Sequence, residues 1–426
     1  MNAYCSSANT RKASSIQYVR SIFAQYYSEH VNCLSVPSSM GKREFAFLLS
    51  ERKGMIRHKN FEDKHELEQA IIDLVPSDVY YSCAYYTDPT AEMDKKGWLG
   101  ADLVFDIDAD HIPTSCNKVH DEWICAGCAF AGKGVLPDKC PICGETRFDV
   151  KSWPCEICLS SARTETIKLL DFLVRDFGLS ENELHLFFSG HRGYHVHVES
   201  KTIRDLEGAA RKEIVDYVLG IGLAETYVDV KGNNSGKSDI RLKSSIGDLG
   251  WRGRIAQGVF DLIRDSDLGD FRDIGLGKRV ADTIIKDKAE ILKNWTSVGS
   301  QRFARGVGPE TWRKLAVSCT QSQTAKIDTV VTTDTHRLIR LTGSLHGKTG
   351  FKKTEFPISS INDFDPFKDA IAFMEGTANV FVSDAPEFRL GCRQFGPFKN
   401  QEVELPTAAA VLLVCKDRAW IMEDSS

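Results

Sequence analysis

Asp106 and Asp108 end the run Leu103-Val104-Phe105-Asp106-Ile107-Asp108. In an extended chain successive side chains alternate, so both carboxylates fall on one face about 7 Å apart, with Leu103, Phe105 and Ile107 on the other. Two such acids repel each other unless a cation lies between them. A divalent metal pair would neutralise them and could clamp both oxygens of an in-line phosphoryl displacement. A strand end with two solvated acids looks the same in sequence, so the pair alone does not decide. A second stretch, Ser189-Gly190-His191-Arg192-Gly193-Tyr194-His195-Val196-His197, follows the apolar Leu186-Phe187-Phe188. Its glycines let backbone N–H groups approach an anion, Ser189 and Arg192 offer directed donors, and His195 shares a strand face with His197. That suits a triphosphate; the plainer reading is a tight hairpin with surface histidines, and only proximity recommends His191 and His197. A third stretch runs from Lys326-Ile327-Asp328 through Arg337 and Arg340 to Ser344-Leu345-His346-Gly347-Lys348-Thr349-Gly350. It offers another carboxylate, then cations and small donors in a Gly-punctuated loop.

Cysteine usage supplies a separate chemistry. Seven of 13 Cys lie between Cys116 and Cys158, as Cys116-x₃-His120 followed by the Cys-x₂-Cys pairs Cys125/Cys128, Cys140/Cys143 and Cys155/Cys158. Pairwise spacing is what tetrahedral Zn²⁺ requires, and eight ligands fill two sites of four. The other six, Cys5, Cys33, Cys83, Cys319, Cys392 and Cys415, are expected to be small buried hydrophobes.

These groups must be positioned by an ordinary folded chain: 426 residues, 42% hydrophobic and 27% charged, enough for one large core with a satellite or for two to three domains. The opening residues show no charged leader followed by an apolar stretch, and the longest apolar run, Ala408 to Cys415, is eight residues, far short of a membrane helix of about 20. A cytoplasmic, reducing location without membrane contact is therefore expected. The net charge of −5 argues against wholesale polyanion binding, yet Thr335 to Thr354 carries five basic residues and no acid, so any polyanion contact is local. Periodicity predicts helices over Ile16–Tyr26, Ala162–Phe177, Ile203–Val218 and Ala408–Ile421, and a helix-dominated stretch from Phe260 to about Leu315. Strands are predicted at Phe45–Leu49, Asp102–Asp108, Leu184–Ser189, Tyr194–Glu199, Lys326–Thr332 and Leu338–Leu341.

Taken together, DIDAD (Asp106 to Asp110), SGHRGYHVHV (Ser189 to Val198) and RLIRLTGSLHGKTG (Arg337 to Gly350) resemble, in that order, the motifs of the small, catalytic subunit of the archaeo-eukaryotic DNA primases, archaeal branch. The resemblance extends from Arg43 to about residue 380. It implies an α+β primase core with a mixed sheet, a zinc-binding insertion and a helical subdomain. The expected layout is 1–115 and 159–259 as catalytic core, 116–158 as zinc module with an inserted ribbon, 260–320 as helical subdomain, and 321–426 completing the core with a C-terminal helix. By position, Asp106, Asp108 and Asp328 resemble the three catalytic carboxylates, with Asp334 a rival for the third. Ser189, Arg192, His195, Arg340 and His346 resemble the triphosphate-binding residues, and Glu44 and Arg57 further active-site residues. Thr342 departs from the Pro common in archaeal relatives, which should affect loop stiffness more than chemistry.

The family's closing cysteine pair leads straight into a helix, as only Cys155/Cys158 does here. The resemblance thus implies one zinc site of Cys116, His120, Cys155 and Cys158 and a ribbon site of Cys125, Cys128, Cys140 and Cys143, with sequential pairing as the alternative. It further implies template-directed nucleotidyl transfer from nucleoside triphosphates on single-stranded DNA, with Mg²⁺ or Mn²⁺, one metal activating the 3′-hydroxyl and the other steadying the leaving oxygens. A large subunit carrying an iron–sulfur cluster is the implied heterodimer partner. Two other readings remain at this stage: a primase-like repair or translesion polymerase, and a catalytically inactive zinc-ribbon adaptor.

Overall fold

The computed structural model describes residues 2–50, 54–223, 228–232, 238–242, 246–296 and 307–422. The chain forms two compact units, one of Met1–Thr166, Glu181–Arg211 and Ile327–Ser426, the other of Ile167–Ser180 and Lys212–Lys326.

The first unit contains two four-stranded sheets. One has the order Leu338–Arg340, Asp78–Ser82, Phe45–Leu48, Met55–Lys59; the other has the order Thr354–Phe356, Leu184–Phe188, Gly193–Val198, Leu103–Asp108. Every pairing in both is antiparallel, which corrects the expected mixed sheet. Antiparallel neighbours accept a short hairpin, whereas a parallel pair needs a crossover of a dozen or more residues; the four residues between Phe188 and Gly193 permit only the former. The Asn2–His30 helix packs Phe23, Tyr26 and Tyr27 against Phe45, Phe47 and Val79 of the first sheet in one apolar core.

Elsewhere, local chemistry overrode propensity. Lys326–Thr332 was expected as a strand from its β-branched run, but Thr329–Thr333 is a short helix capped by Asp328, whose carboxylate accepts from Val330 N at 2.9 Å and Val331 N at 3.4 Å. The expected closing helix stops at Cys415; Asp417 adopts φ +52°, and Ala419–Ile421 becomes a strand paired with Thr377–Ala385. The helix expected from Ala162 begins earlier, at Glu156 within the last cysteine pair, and passes through a π-turn at Phe172–Asp176 to Gly178, φ +71°. The helix expected from Ile203 starts at Gly208. Of the isolated cysteines, Cys83 and Cys319 are buried and Cys415 half-buried, but Cys33 and Cys392 are exposed, against expectation; the Cys5 side chain lies outside the described residues.

Between Cys116 and Cys158, three short antiparallel strands, Glu122–Cys125, Ala131–Lys133 and Phe148–Lys151, hold the inner pairs at the end of the first strand and in the two connections (Cys125/Cys128, Cys140/Cys143). The second unit is built largely of helices, among them Gly250–Asp265, Lys278–Lys286 and Pro309–Gln323, around Trp251, Ile255, Ile284 and Trp312. No described helix is long and apolar enough to cross a membrane.

Candidate active site and metal centres

Strand alternation places Val104, Asp106 and Asp108 on one face of Leu103–Asp108, and all three line a cavity of about 180 Å³. The adjoining strand is in register so that His195 faces Asp106 and Gly193 faces Asp108. A Cβ on Gly193 would lie 2.1 Å from the Ile107 carbonyl oxygen, so only glycine allows this approach. Ser189, His191 and His195 line the same cavity, and Tyr80, Arg337, Arg340 and His346 close it from the other sheet and its following loop.

Electrostatics divide the cleft. The Asp106 carboxyl is pushed up to about 8 by burial, then by Asp108 and Asp328, although its side chain is still 24% exposed. The Asp328 N–H donates to the Asp106 carbonyl at 2.8 Å, which fixes the new helix against the acid-bearing strand. Asp334 instead accepts from His336 N at 2.9 Å and is not among the groups that act most strongly on Asp106. Burial first, then nearby cations, holds both His195 and His346 well below their ordinary range, so both are neutral at pH 7. His195 Nε2 lies 3.5 Å from Asp106 Oδ1, and its buried Nδ1 has no hydrogen-bond partner among the described residues. His346 Nδ1 accepts from Lys348 N at 3.1 Å, which leaves Nε2–H as its donor. The Ser189 hydroxyl oxygen accepts from His191 N and Gly193 N, so its own proton is free to donate. Arg340 is ion-paired with Asp78, whereas Arg337 makes no ion pair among the described residues.

Four sequence candidates sit apart from the cavity lining: Asp328, and with it Glu44, Arg57 and Arg192. Glu44 is fully buried and holds Arg57 Nε at 2.9 Å and Lys96 Nζ at 2.8 Å; burial opposes its ionisation, but these hydrogen bonds and that of His58 N win and lower its pKa. Arg192 is also fully buried, bound bidentately to Asp121 and to Asp110 at 2.8 Å.

The cysteines form two groups. Cys116, His120, Cys155 and Cys158 converge, with Sγ–Sγ separations of 3.3 Å (Cys116–Cys158) and 3.5 Å (Cys116–Cys155) and His120 Nε2 at 3.3 Å from Cys155 Sγ. Cys125, Cys128, Cys140 and Cys143 form the other, with separations of 3.5 and 3.6 Å. Sulfurs around a tetrahedral ion with bonds of about 2.3 Å stand about 3.8 Å apart, so both donor sets fit Zn²⁺. The structure thus brings together the interleaved sets and not the sequential ones. A third convergence, of Asp108, Asp110 and His191, lies at the cleft itself.

Comparison with known proteins bears on the cleft directly. The sequence model of the DNA primase small subunit family matches residues 149–358, which include the Ser189–Val198 and Arg337–Gly350 motifs. The DNA primase small subunit PriS of Nitrosopumilus maritimus is 30% identical over 406 residues, covering 95% of this chain and 98% of the relative. The chain belongs to the DNA primase small subunit family, archaeal type. The PriS proteins of Methanococcoides burtonii (33% over 418 residues, 94% and 97% covered) and Methanothrix thermoacetophila (32% over 423 residues, 95% and 98% covered) agree.

Within this primase chain, the structure adds residues that sequence reasoning missed. Lys353, behind the cavity, donates to the Arg340 carbonyl at 2.8 Å and is pushed down to about 7 by burial and Arg340. Lys416 reaches from beyond the last helix to His191 Nε2 at 2.6 Å and is pushed down to about 7 by burial and Arg192. No local pattern marks Lys416, since its partner is 225 residues away. Arg337 is marked in the sequence only as one of the cations of its Gly-punctuated stretch.

Proposed function

We propose that this chain is the catalytic subunit of a DNA primase, which synthesises short primers on single-stranded DNA by template-directed nucleotidyl transfer from nucleoside triphosphates. The observation that carries the reading is one cavity with Asp106 and Asp108 on one wall and Arg337, Arg340, His195 and His346 on the others. In the reaction, a 3′-hydroxyl oxygen bonds to the α-phosphorus of the incoming nucleotide, the bond to the bridging oxygen breaks, and pyrophosphate leaves.

Arg337 and Arg340 oppose the charge of the triphosphate. Ser189, His195 and the Nε2–H of His346 donate hydrogen bonds without adding charge, so product release is not penalised by excess cations. Asp106, Asp108 and Asp328 would hold Mg²⁺ or Mn²⁺, which supplies charge neutralisation and a more acidic 3′-hydroxyl; the Asp106 pKa, raised first by burial and then by Asp108 and Asp328, supports this, since the crowding part of it favours a cation. Asp328 is preferred to Asp334 because it acts on Asp106 and is anchored to its strand. Both cysteine groups would hold structural Zn²⁺, and the family implies a large-subunit partner.

A gel assay on an unprimed single-stranded template, with and without the large subunit and with ribonucleotides against deoxyribonucleotides, tests the reading. Synthesis should disappear in Asp106→Ala/Asp108→Ala while fold and zinc content persist. Extension of primed strands with no initiation, even with the large subunit, would favour a repair polymerase, and no synthesis at all an adaptor.

A further inference from the structure

Arg192 sits in the nucleotide-facing loop yet turns away from the nucleotide. Its neighbours Ser189, His191 and His195 line the cavity, but Arg192 does not. The guanidinium is fully buried: Nη1 reaches Asp121 Oδ1 at 2.9 Å and Asp110 Oδ1 at 2.8 Å, and Nη2 reaches Asp121 Oδ2 at 2.9 Å and Cys158 Sγ at 3.3 Å. A phosphate could take these donors only by displacing two carboxylates from a buried cation, which is strongly unfavourable.

Asp121 has a second commitment. Its Oδ1 lies 2.7 Å from His120 Nδ1 and accepts from Trp153 N at 3.2 Å. His120 presents Nε2 to Cys155 and Cys158 Sγ at 3.3 and 3.5 Å, so Nε2 is the metal-facing nitrogen and Nδ1–H donates to Asp121. Carboxylates in this position orient the ligating imidazole and raise its basicity. At the other end, the Arg192 carbonyl accepts from Ala109 N at 3.2 Å, and Asp110 N donates to Asp108 Oδ1 at 2.9 Å. An unbroken set of contacts therefore runs from the Cys116/His120/Cys155/Cys158 group through Asp121 and Arg192 to the nucleotide loop and the acid-bearing strand end.

We propose that Asp121 is a positioning residue: it clamps Arg192 and His120 together, so that the metal-bound state of the Cys₃His site sets the geometry of the Ser189–Gly193 loop. Arg192 then acts through the loop backbone and not by touching phosphate. The inference about nucleotide binding rests on the primase reading above; the inference about zinc does not.

The test uses full-length zinc-loaded protein and the variants Asp121→Ala, Asp121→Asn and Arg192→Gln. Zinc release to a chromogenic chelator is followed in time, and KM and kcat for ribonucleotides are measured on a single-stranded template. Loss of an outer-shell carboxylate weakens metal binding about 10–100-fold, so one of the two zinc equivalents should leave about 10–100-fold faster from Asp121→Ala while the other is unchanged. KM should rise about tenfold with a much smaller change in kcat. Asp121→Asn keeps the side chain's shape and one acceptor, and should fall between wild type and Asp121→Ala on both readouts; it decides the matter if Asp121→Ala does not fold. Arg192→Gln should also accelerate zinc release. Unchanged zinc release in Asp121→Asn and Arg192→Gln overturns the proposal. Arg192→Gln raising KM with zinc release untouched also overturns it, in favour of direct phosphate binding. Wild-type protein that makes no product refutes the primase reading alone, because the zinc-release arm still reports on the clamp.

Discussion

Replacing Asp106 with Asn should make the metal-free active site more stable while destroying its activity. In the folded chain the Asp106 carboxyl is held near 8, against an ordinary 3.8, by burial and by Asp108 and Asp328. Between those two values the unfolded chain releases the proton and the folded chain keeps it, so the folded chain binds more protons and stability falls as pH rises, levelling off above about 8. Each tenfold change in proton affinity is worth about 1.4 kcal/mol, which sets a ceiling of about 6 kcal/mol. The side chain is 24% exposed, and solvent screening and relaxation reduce the effect to about 2–3 kcal/mol. Asp106→Asn removes the ionisation at nearly constant shape. In zinc-containing buffer free of Mg²⁺ and Mn²⁺, its Tm should exceed that of wild type by about 4 °C at pH 8.5 and by less than half of that at pH 5.5. Added Mn²⁺ should raise the wild-type Tm and close the gap, because a ligand that binds only the folded state stabilises it. An Asp106→Asn protein less stable than wild type at pH 8.5, or a difference independent of pH, would refute the claim that the acids are held together against their mutual repulsion.

Elemental analysis should find two zinc per chain, falling to one in Cys128→Ser, with the loss confined to the ribbon strands. Cys158→Ser should also lose one zinc but lower Tm far more, since Cys158 is buried beside Ala109 at the end of the acid-bearing strand; equal effects of the two variants would contradict the separation of the sites. Arg43→Met should cost about 3–5 kcal/mol in urea denaturation, because Asp102 is 4% exposed and loses its 2.6 Å ion pair. Adding Asp102→Asn should recover part of that loss, and no recovery would show that Arg43 acts mainly through its hydrogen bonds to the Ser38, Ser82 and Cys83 carbonyls and its stacking on Tyr85.

The legible parts of this chain are those in which local periodicity and function coincide. Alternation along Leu103–Asp108 put both acids on one face from sequence alone, and the spacing of the cysteine pairs pointed to two clusters of four donors, which converge in the structure. The grouping of the seven cysteines and His120 into two sets came from the resemblance, since eight candidate ligands divide equally well in two ways. The Thr329–Thr333 helix was illegible for a definite reason: its β-branched run favours a strand, and only the Asp328 cap reverses that preference. Lys353 and Lys416 were illegible because buried lysines reached from distant segments have no spacing signature.

Arg192 shows where motif reading stops. Membership of a Gly-punctuated loop says that a side chain starts near the nucleotide, but not which way it goes. For strand residues the pleat supplies that direction, which is why Asp106, Asp108 and His195 all arrived in the cleft. For a residue in the turn, direction is set by tertiary partners, and Arg192 found two carboxylates, one of them 71 residues earlier in the chain. Arg337 is the converse, an arginine with no acid to claim it among the described residues, left in the cavity beside Asp106. Which arginine is available to the proposed triphosphate is therefore decided by where each guanidinium ends: Arg192, neutralised and buried away from the cavity, can only transmit position, while Arg337 beside the crowded carboxylates and Arg340 on Asp78 both face the cavity.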